Sequence, residues 1–229
     1  MTLTRPHPAA TETVLNYVVA GEVRSGSAAL ASALGFARGA CCHTALLADD
    51  EDTRRDEYEA YFGPADPDAP GHFHAAEREA NMNAYRFLCG SVFDRPRRGE
   101  QAVGVRLPYP ALARYDLFDL LEERTREGDF CVVAVARNPV ACLVSLKQAA
   151  HSGVWAEGPN APRRELSPMP VRLDPQELTR FCRQYDAVTG KVRRAAAVAP
   201  DAYLEVAYRD LVFDYRRQVE RVLEFLARV

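Results

Sequence analysis

Short apolar runs, nearly free of polar interruptions, recur along this chain, and longer stretches with helical spacing lie between them. Residues 14–20 (Val-Leu-Asn-Tyr-Val-Val-Ala), 101–107, 130–136 (Phe-Cys-Val-Val-Ala-Val-Ala) and 203–207 are brief and rich in β-branched and aromatic residues, the pattern of buried strands. Residues 40–47 predict one more short strand. Helices are predicted over 27–34, 75–88, 111–126, 140–150, 174–198 and from 215 onward. In the fourth-last position of that order, 111–126, Leu112, Tyr115, Leu117, Leu120 and Leu121 form an apolar side. Asp49-Asp50-Glu51-Asp52 opens a further helix, where carboxylates suit the N-terminal dipole, and Tyr58, Tyr61 and Phe62 close it. Buried-strand runs alternating with helices predict an α/β fold with a sheet covered on both sides.

Punctuation between the runs agrees. Pro108-Tyr109-Pro110 breaks the chain after one strand, and Asp174-Pro175-Gln176-Glu177 reads as a capping box with proline at the first helical position. Residues 64–71 form a loop, and a Pro-rich stretch (Pro159, Pro162, Pro168, Pro170) reads as a lid or rim. Residues 1–13 are polar and read as a loose arm. At 229 residues, the rest can bury a two-sided sheet within one domain spanning 1–229.

One junction carries chemistry. Gly21-Glu22-Val23-Arg24-Ser25-Gly26-Ser27 joins the first strand to a small-residue helix, the arrangement that aims backbone N–H groups and a helix N-terminus at an anion. It spans Gly-x-x-x-x-Gly, the frame of a Walker A loop. Ser27 and Ala28 then stand where an ATPase has Lys and Ser/Thr, so the lysine for the terminal phosphates and the hydroxyl for Mg²⁺ are absent. Arg24 supplies positive charge instead. The bland alternative is a glycine-rich turn of an ordinary α/β domain.

A second junction favours the phosphate cradle. After 130–136 come Arg137-Asn138-Pro139, with Asn a preferred N-cap and Pro a preferred first helical residue, and Ser145 lies on the helix that follows. Arg137 therefore ends a strand on the edge where open α/β sheets bind ligands. Together, Gly-x-x-Arg-Ser-Gly-Ser and Val-x-x-x-Arg-Asn-Pro-x-x-x-x-x-Ser resemble the nucleotide-dependent sulfotransferases. Leu-Glu-Val-Ala-Tyr-Arg-Asp-Leu at 204–211 resembles that family's late strand and Tyr-Glu-Asp-Leu segment. Gly104-Val105-Arg106 is similar to a Gly-x-Lys of its bacterial members.

The resemblance implies a P-loop NTPase-like fold, a three-layer α/β/α sandwich with a central parallel sheet, and 3′-phosphoadenosine 5′-phosphosulfate as co-substrate, with no metal. It implies that Arg24, Ser25, Gly26, Ser27, Ala28 and Ala29 cradle the 5′-phosphate, Arg24 beside the bridging oxygen, and that Arg137 and Ser145 hold the 3′-phosphate. Two positions depart from the family: Val23 replaces a usual Pro, and Ala28 replaces Ser or Thr. Relatives place Glu or His after the first helix in Cys-His-x-Glu-Leu. Here Cys42-His43-Thr44-Ala45-Leu46 keeps the histidine and has Ala45 for the carboxylate, leaving His43 as candidate base and Asp49, Asp50 and Glu51 as fallbacks.

Composition narrows the partners. Net charge is −3, with 48% apolar and 27% charged residues, which gives no reason to expect nucleic acid or an anionic membrane. No apolar run suffices to span a bilayer, and no signal peptide opens the chain, so the cytoplasm is the expected location. Six cysteines show no Cys-x-x-Cys or Cys/His ligand spacing, which speaks against zinc. His72 and His74 read as exposed loop residues, and Trp155 as an acceptor contact or a core anchor. The expected acceptor is a small molecule. A non-catalytic nucleotide-binding protein on the same fold, and a metal-dependent kinase, stand as alternatives.

Overall fold

The computed structural model describes residues 14–44, 46–47, 84–93, 99–152 and 170–229. Five strands form one sheet: β1 (Leu15–Gly21), β2 (Ala40–His43), β3 (Ala102–Pro108), β4 (Phe130–Ala136) and β5 (Tyr203–Ala207). Their order is β2-β3-β1-β4-β5, and every pairing is parallel. The described helices are α1 (Ser27–Gly35), α2 (Tyr109–Arg114), α3 (Phe118–Glu127), α4 (Pro139–Ser152), α5 (Pro175–Ala196), α6 (Tyr208–Phe213) and α7 (Tyr215–Arg228).

The apolar runs lack a polar face because both faces of the sheet are covered. On β1, Leu15, Tyr17 and Val19 pack with Leu30 and Leu34 of α1 and with Val219, Val222, Leu223 and Leu226 of α7. Val18 and Ala20 point to the other side, against Leu112, Leu120, Leu121 and the Val188–Val192 stripe of α5. A β-strand alternates its side chains, so one run of residues feeds two cores. The three-layer α/β/α sandwich follows from that double burial. Gly104 on β3 is forced by this packing, since a Cβ there would stand 2.2 Å from the Tyr17 ring.

Strand order places the site. β1 lies between β3 and β4, with the chain leaving toward β2 on one side and toward β5 on the other. Such a switch opens a crevice at the carboxyl ends of the strands. Gly21, the last residue of β1, is in register with Val135 on β4, so the two candidate junctions emerge side by side.

Several element boundaries differ from expectation. β2 ends at His43 rather than reaching residue 47; Leu46 and Leu47 are buried in a turn. The expected helix 111–126 is two helices, parted at Asp116, whose φ of 48° is left-handed. An aspartate tolerates that region better than most residues, and the apolar spacing runs across the break unchanged. Pro108-Tyr109-Pro110 does not interrupt the chain, because β3 passes directly into α2 with proline in the first helical turn. The helical stretch expected to end at 88 runs on through a π-helical turn, Leu88–Phe93. α6 is an added short helix after β5.

The predicted caps form. Asn138 Oδ1 accepts from the Val140 and Ala141 N–H groups at 2.9 and 3.3 Å. Asp174 Oδ1 accepts from Gln176 at 3.1 Å, but Glu177 is paired with Lys147 of α4 at 2.7 Å. The arm 1–13, the Asp49–Asp52 helix, the 64–71 loop, His72, His74, Ala45, and Trp155 with the Pro-rich stretch through Pro168 lie outside the described residues.

Candidate active site

The loop after β1 is built by two left-handed residues. Arg24 has φ 68° and Gly26 φ 91°. Placing such residues in alternation turns successive backbone N–H groups toward one side, which makes a concave anion site. Gly21 permits the tight return: a Cβ there would stand 2.6 Å from Ser25 Oγ and 3.1 Å from Ser27 Cβ. Both serines are therefore turned inward and buried, with Ser25 Oγ accepting from the Ser27 N–H at 3.4 Å. Gly26 caps α1 without a side chain, so the first-turn N–H groups of Ala28 and Ala29 have no capping side chain.

Inside the loop itself is a carboxylate that the sequence pattern gave no role. Glu22 is 5% exposed, its Oε1 accepts from the Val23 N–H at 2.8 Å, and its carbonyl accepts from Ser25 at 3.0 Å. Val23 stands where the resembling sequences have proline, and the extra N–H it brings is the one Glu22 takes. Burial raises the Glu22 pKa above its ordinary value, and the Val23 hydrogen bond opposes the shift.

Beside this loop, at the end of β4, Arg137 donates from Nη1 to the Arg24 carbonyl at 2.5 Å. Its guanidinium lies 4.0 Å from the centroid of the Tyr208 ring, at the start of α6. The same ring packs on Gly26, where a Cβ would come within 2.9 Å of it. Ser145, on α4, accepts from Arg24 Nε at 3.1 Å. The hydroxyl of Tyr185, from α5, accepts from the Arg137 N–H at 3.4 Å, and burial raises its pKa. Cys142 of α4 is buried nearby; burial, with the Glu22 charge adding and Arg137 opposing, pushes its thiol up to about 11.

Of the predicted site residues, Arg24, Ser25, Gly26, Ser27, Arg137 and Ser145 come together, with Ala28 and Ala29 opening the adjoining helix. His43 does not join them. It ends β2, two strands from β1, so it lies roughly 10 Å to the side at ordinary strand spacing. Register sets it level with Val105 and hence Val18, short of the end of β1 at Gly21. It is 4% exposed, with Nε2 3.7 Å from Cys41 Sγ. Between the two, Arg106 of β3 donates from Nε to the Thr44 carbonyl at 2.8 Å. Sequence reasoning missed Glu22, Tyr185 and Tyr208. Tyr208 was within the late motif, whereas Tyr185 is one of several apolar-face residues of α5 with no distinguishing signal.

No disulfide joins the cysteines. Among the described residues no group of His, Cys, Asp or Glu is placed to hold a metal ion, and no helix is long and apolar enough to cross a membrane.

A left-handed loop leading into a helix N-terminus without a side-chain cap, with Arg24 and Arg137 at the carboxyl edge of a parallel sheet, is the arrangement of a P-loop-like α/β fold. A sequence model of the sulfotransferase family matches residues 18–228, and the chain belongs to that family. Sulfuryl transfer is thereby its class of activity. No match was found among curated proteins.

Proposed function

We propose that this sulfotransferase takes its sulfuryl group from 3′-phosphoadenosine 5′-phosphosulfate and passes it to a hydroxyl or amine of a small-molecule acceptor. The observation that carries the reading is the contact of Arg24 with Arg137 from neighbouring strand ends. Arg137 rests on the Arg24 backbone while the Arg24 guanidinium reaches Ser145, so two cationic side chains line one site. That suits a ligand with two phosphate groups, and an AMP-like ligand would use only one.

In this reading the donor, when bound, supplies a sulfuryl group on a phosphate leaving group. Arg24, the loop N–H groups around Gly26 and Ser27, and those of Ala28 and Ala29 hold the 5′-phosphate and meet the charge that grows on it. Arg137 and the Ser145 hydroxyl hold the 3′-phosphate, with Tyr208 keeping the Arg137 plane in place. His43 is assigned the acceptor's proton. In this assignment the acceptor lies over the end of β3, between the loop and β2, a reading supported by His43 ending β2 and by the Arg106–Thr44 hydrogen bond beside it.

Thermal denaturation with nucleotides tests the donor. Adenosine 3′,5′-bisphosphate at a hundred times its dissociation constant should stabilise the protein by about 2.7 kcal/mol, and AMP at equal concentration by far less. Arg137→Ala should abolish the difference. Equal stabilisation of the parent by both nucleotides would refute the 3′-phosphate assignment. The burial of His43 favours a second reading, a nucleotide-binding protein without turnover. Tight bisphosphate binding with no transfer across a broad acceptor panel would select it.

A further inference from the structure

A carboxylate inside an anion-binding loop is contrary to the loop's own chemistry, and Glu22 is also buried. Its partners among the described residues are backbone groups alone: the Val23 N–H on Oε1 and the Ser25 N–H on its carbonyl. Those two bonds bracket Arg24 and fix the backbone on either side of its left-handed turn. The titratable side chains that feel its charge are Cys142 from α4 and Tyr185 from α5. Arg137, from the end of β4, faces both of these groups, and Arg24 stands two places along the loop itself. No ion pair with Glu22 forms among the described residues.

We propose that Glu22 is a positioning residue for the donor nucleotide and that its own proton sets its effect. The buried carboxyl fixes the Val23 side of the loop, and the negative charge gained on losing the proton opposes the bound phosphate. This rests on the nucleotide reading of the loop. The geometry serves both states, because a protonated carboxyl keeps one oxygen to accept from Val23 while its hydroxyl can donate to an anion or to a backbone carbonyl. Burial already favours the neutral form, and an anion bound in the loop that Glu22 belongs to favours that form further. By linkage, nucleotide binding then draws a proton from solvent onto Glu22, and affinity falls as pH rises through the raised pKa of the unliganded protein. Each pKa unit by which the nucleotide raises Glu22 corresponds to roughly tenfold in affinity.

Calorimetric titration of the full chain with adenosine 3′,5′-bisphosphate, from about pH 5.5 to about pH 8.5 in buffers of different ionisation enthalpy, reads this directly. Titration of the ligand's own phosphates is common to parent and variant, so the comparison isolates Glu22. The parent should take up more protons on binding than Glu22→Gln. At the alkaline end the Gln variant, which keeps an oxygen for Val23, should bind roughly tenfold more tightly than the parent. Glu22→Ala, lacking that oxygen, should bind more weakly than the Gln variant throughout. Equal proton uptake in parent and Gln variant, or a Gln variant weaker by one constant factor at every pH, would overturn the proposal. If the parent binds no bisphosphate at all, the nucleotide reading fails separately, and the Val23 amide decides the role of Glu22. Its NMR shift should titrate with the Glu22 carboxyl, and inorganic sulfate should move that midpoint upward. The same measurement on the parent serves if the Gln variant does not fold; a midpoint indifferent to sulfate would end the idea.

Discussion

Arg137 reaches across 113 residues of chain to the backbone carbonyl of Arg24, and its flat face rests 4.0 Å from the Tyr208 ring centroid. The two strand-end segments proposed to grip the donor's phosphates are thus joined into one structure. Arg24 is held by Arg137 at its carbonyl and by Ser145 at its guanidinium, while Tyr208 supports both Arg137 and the Gly26 backbone.

Tyr208 contributes its ring. Tyr208→Phe should leave bisphosphate affinity within about threefold, since cation–π stacking of an arginine needs only the aromatic face. Tyr208→Leu should weaken binding by about 1–2 kcal/mol, the value of such a stack in a desolvated setting. Isothermal titration measures both, and a Phe variant as weak as the Leu variant would transfer the role to the hydroxyl.

Gly26 combines a left-handed φ of 91° with a Cβ direction aimed at Tyr208, 2.9 Å away. Gly26→Ala should therefore cost about 1–3 kcal/mol in urea unfolding and lose nucleotide binding with it. A variant that binds and unfolds like the parent would contradict the loop geometry.

Stability should respond to the ionisation of Glu22. Its folded pKa is raised by burial, so its contribution is fully present below the unfolded pKa and is lost as pH rises through the folded one. Between the ordinary glutamate range and neutrality, the parent should lose stability relative to Glu22→Gln. Denaturant midpoints at several pH values give the comparison; parallel curves would show that the carboxyl titrates normally.

Cys142 should be inert while the fold is intact. It is fully buried and its thiol is pushed up to about 11, so little thiolate exists near pH 8. Iodoacetamide labelling followed by peptide mass spectrometry should find it modified only after denaturation. Rapid labelling of the native protein would mean that the α4 side of the site opens.

His43→Ala separates turnover from binding. Transfer should fall roughly 10²–10⁴-fold if His43 is the base, with bisphosphate affinity unchanged because the loop lies two strands away. An unaltered rate would assign the proton elsewhere, to the Asp49, Asp50 and Glu51 cluster or to no residue.

Much of this protein was legible along the chain, and the reasons are local. Strands β1 and β4, at the centre of the sheet, read as nearly unbroken apolar runs because both faces are buried, while β5 at the edge is mostly half-buried and carries Glu205. Asn138 and Asp174 announced helix starts through their own side-chain oxygens. Gly21 and Gly26 at fixed spacing marked the loop, the first because no Cβ fits there and the second because its φ is left-handed, whereas the left-handed φ of Arg24 could not be read from its residue type. Other features depended on partners distant in sequence. Leu46 and Leu47 are as apolar in a buried turn as in a strand, so β2 looked longer than it is. Strand order set His43 apart from Arg24, although both lie at strand ends. The Tyr185 and Tyr208 contacts to Arg137 exist only because α5 and α6 return to the end of β4. Glu22 shows the division most sharply: its sequence position places it in the loop, but burial and the turned-back carboxyl, which tertiary packing alone creates, decide that it acts on that loop's backbone.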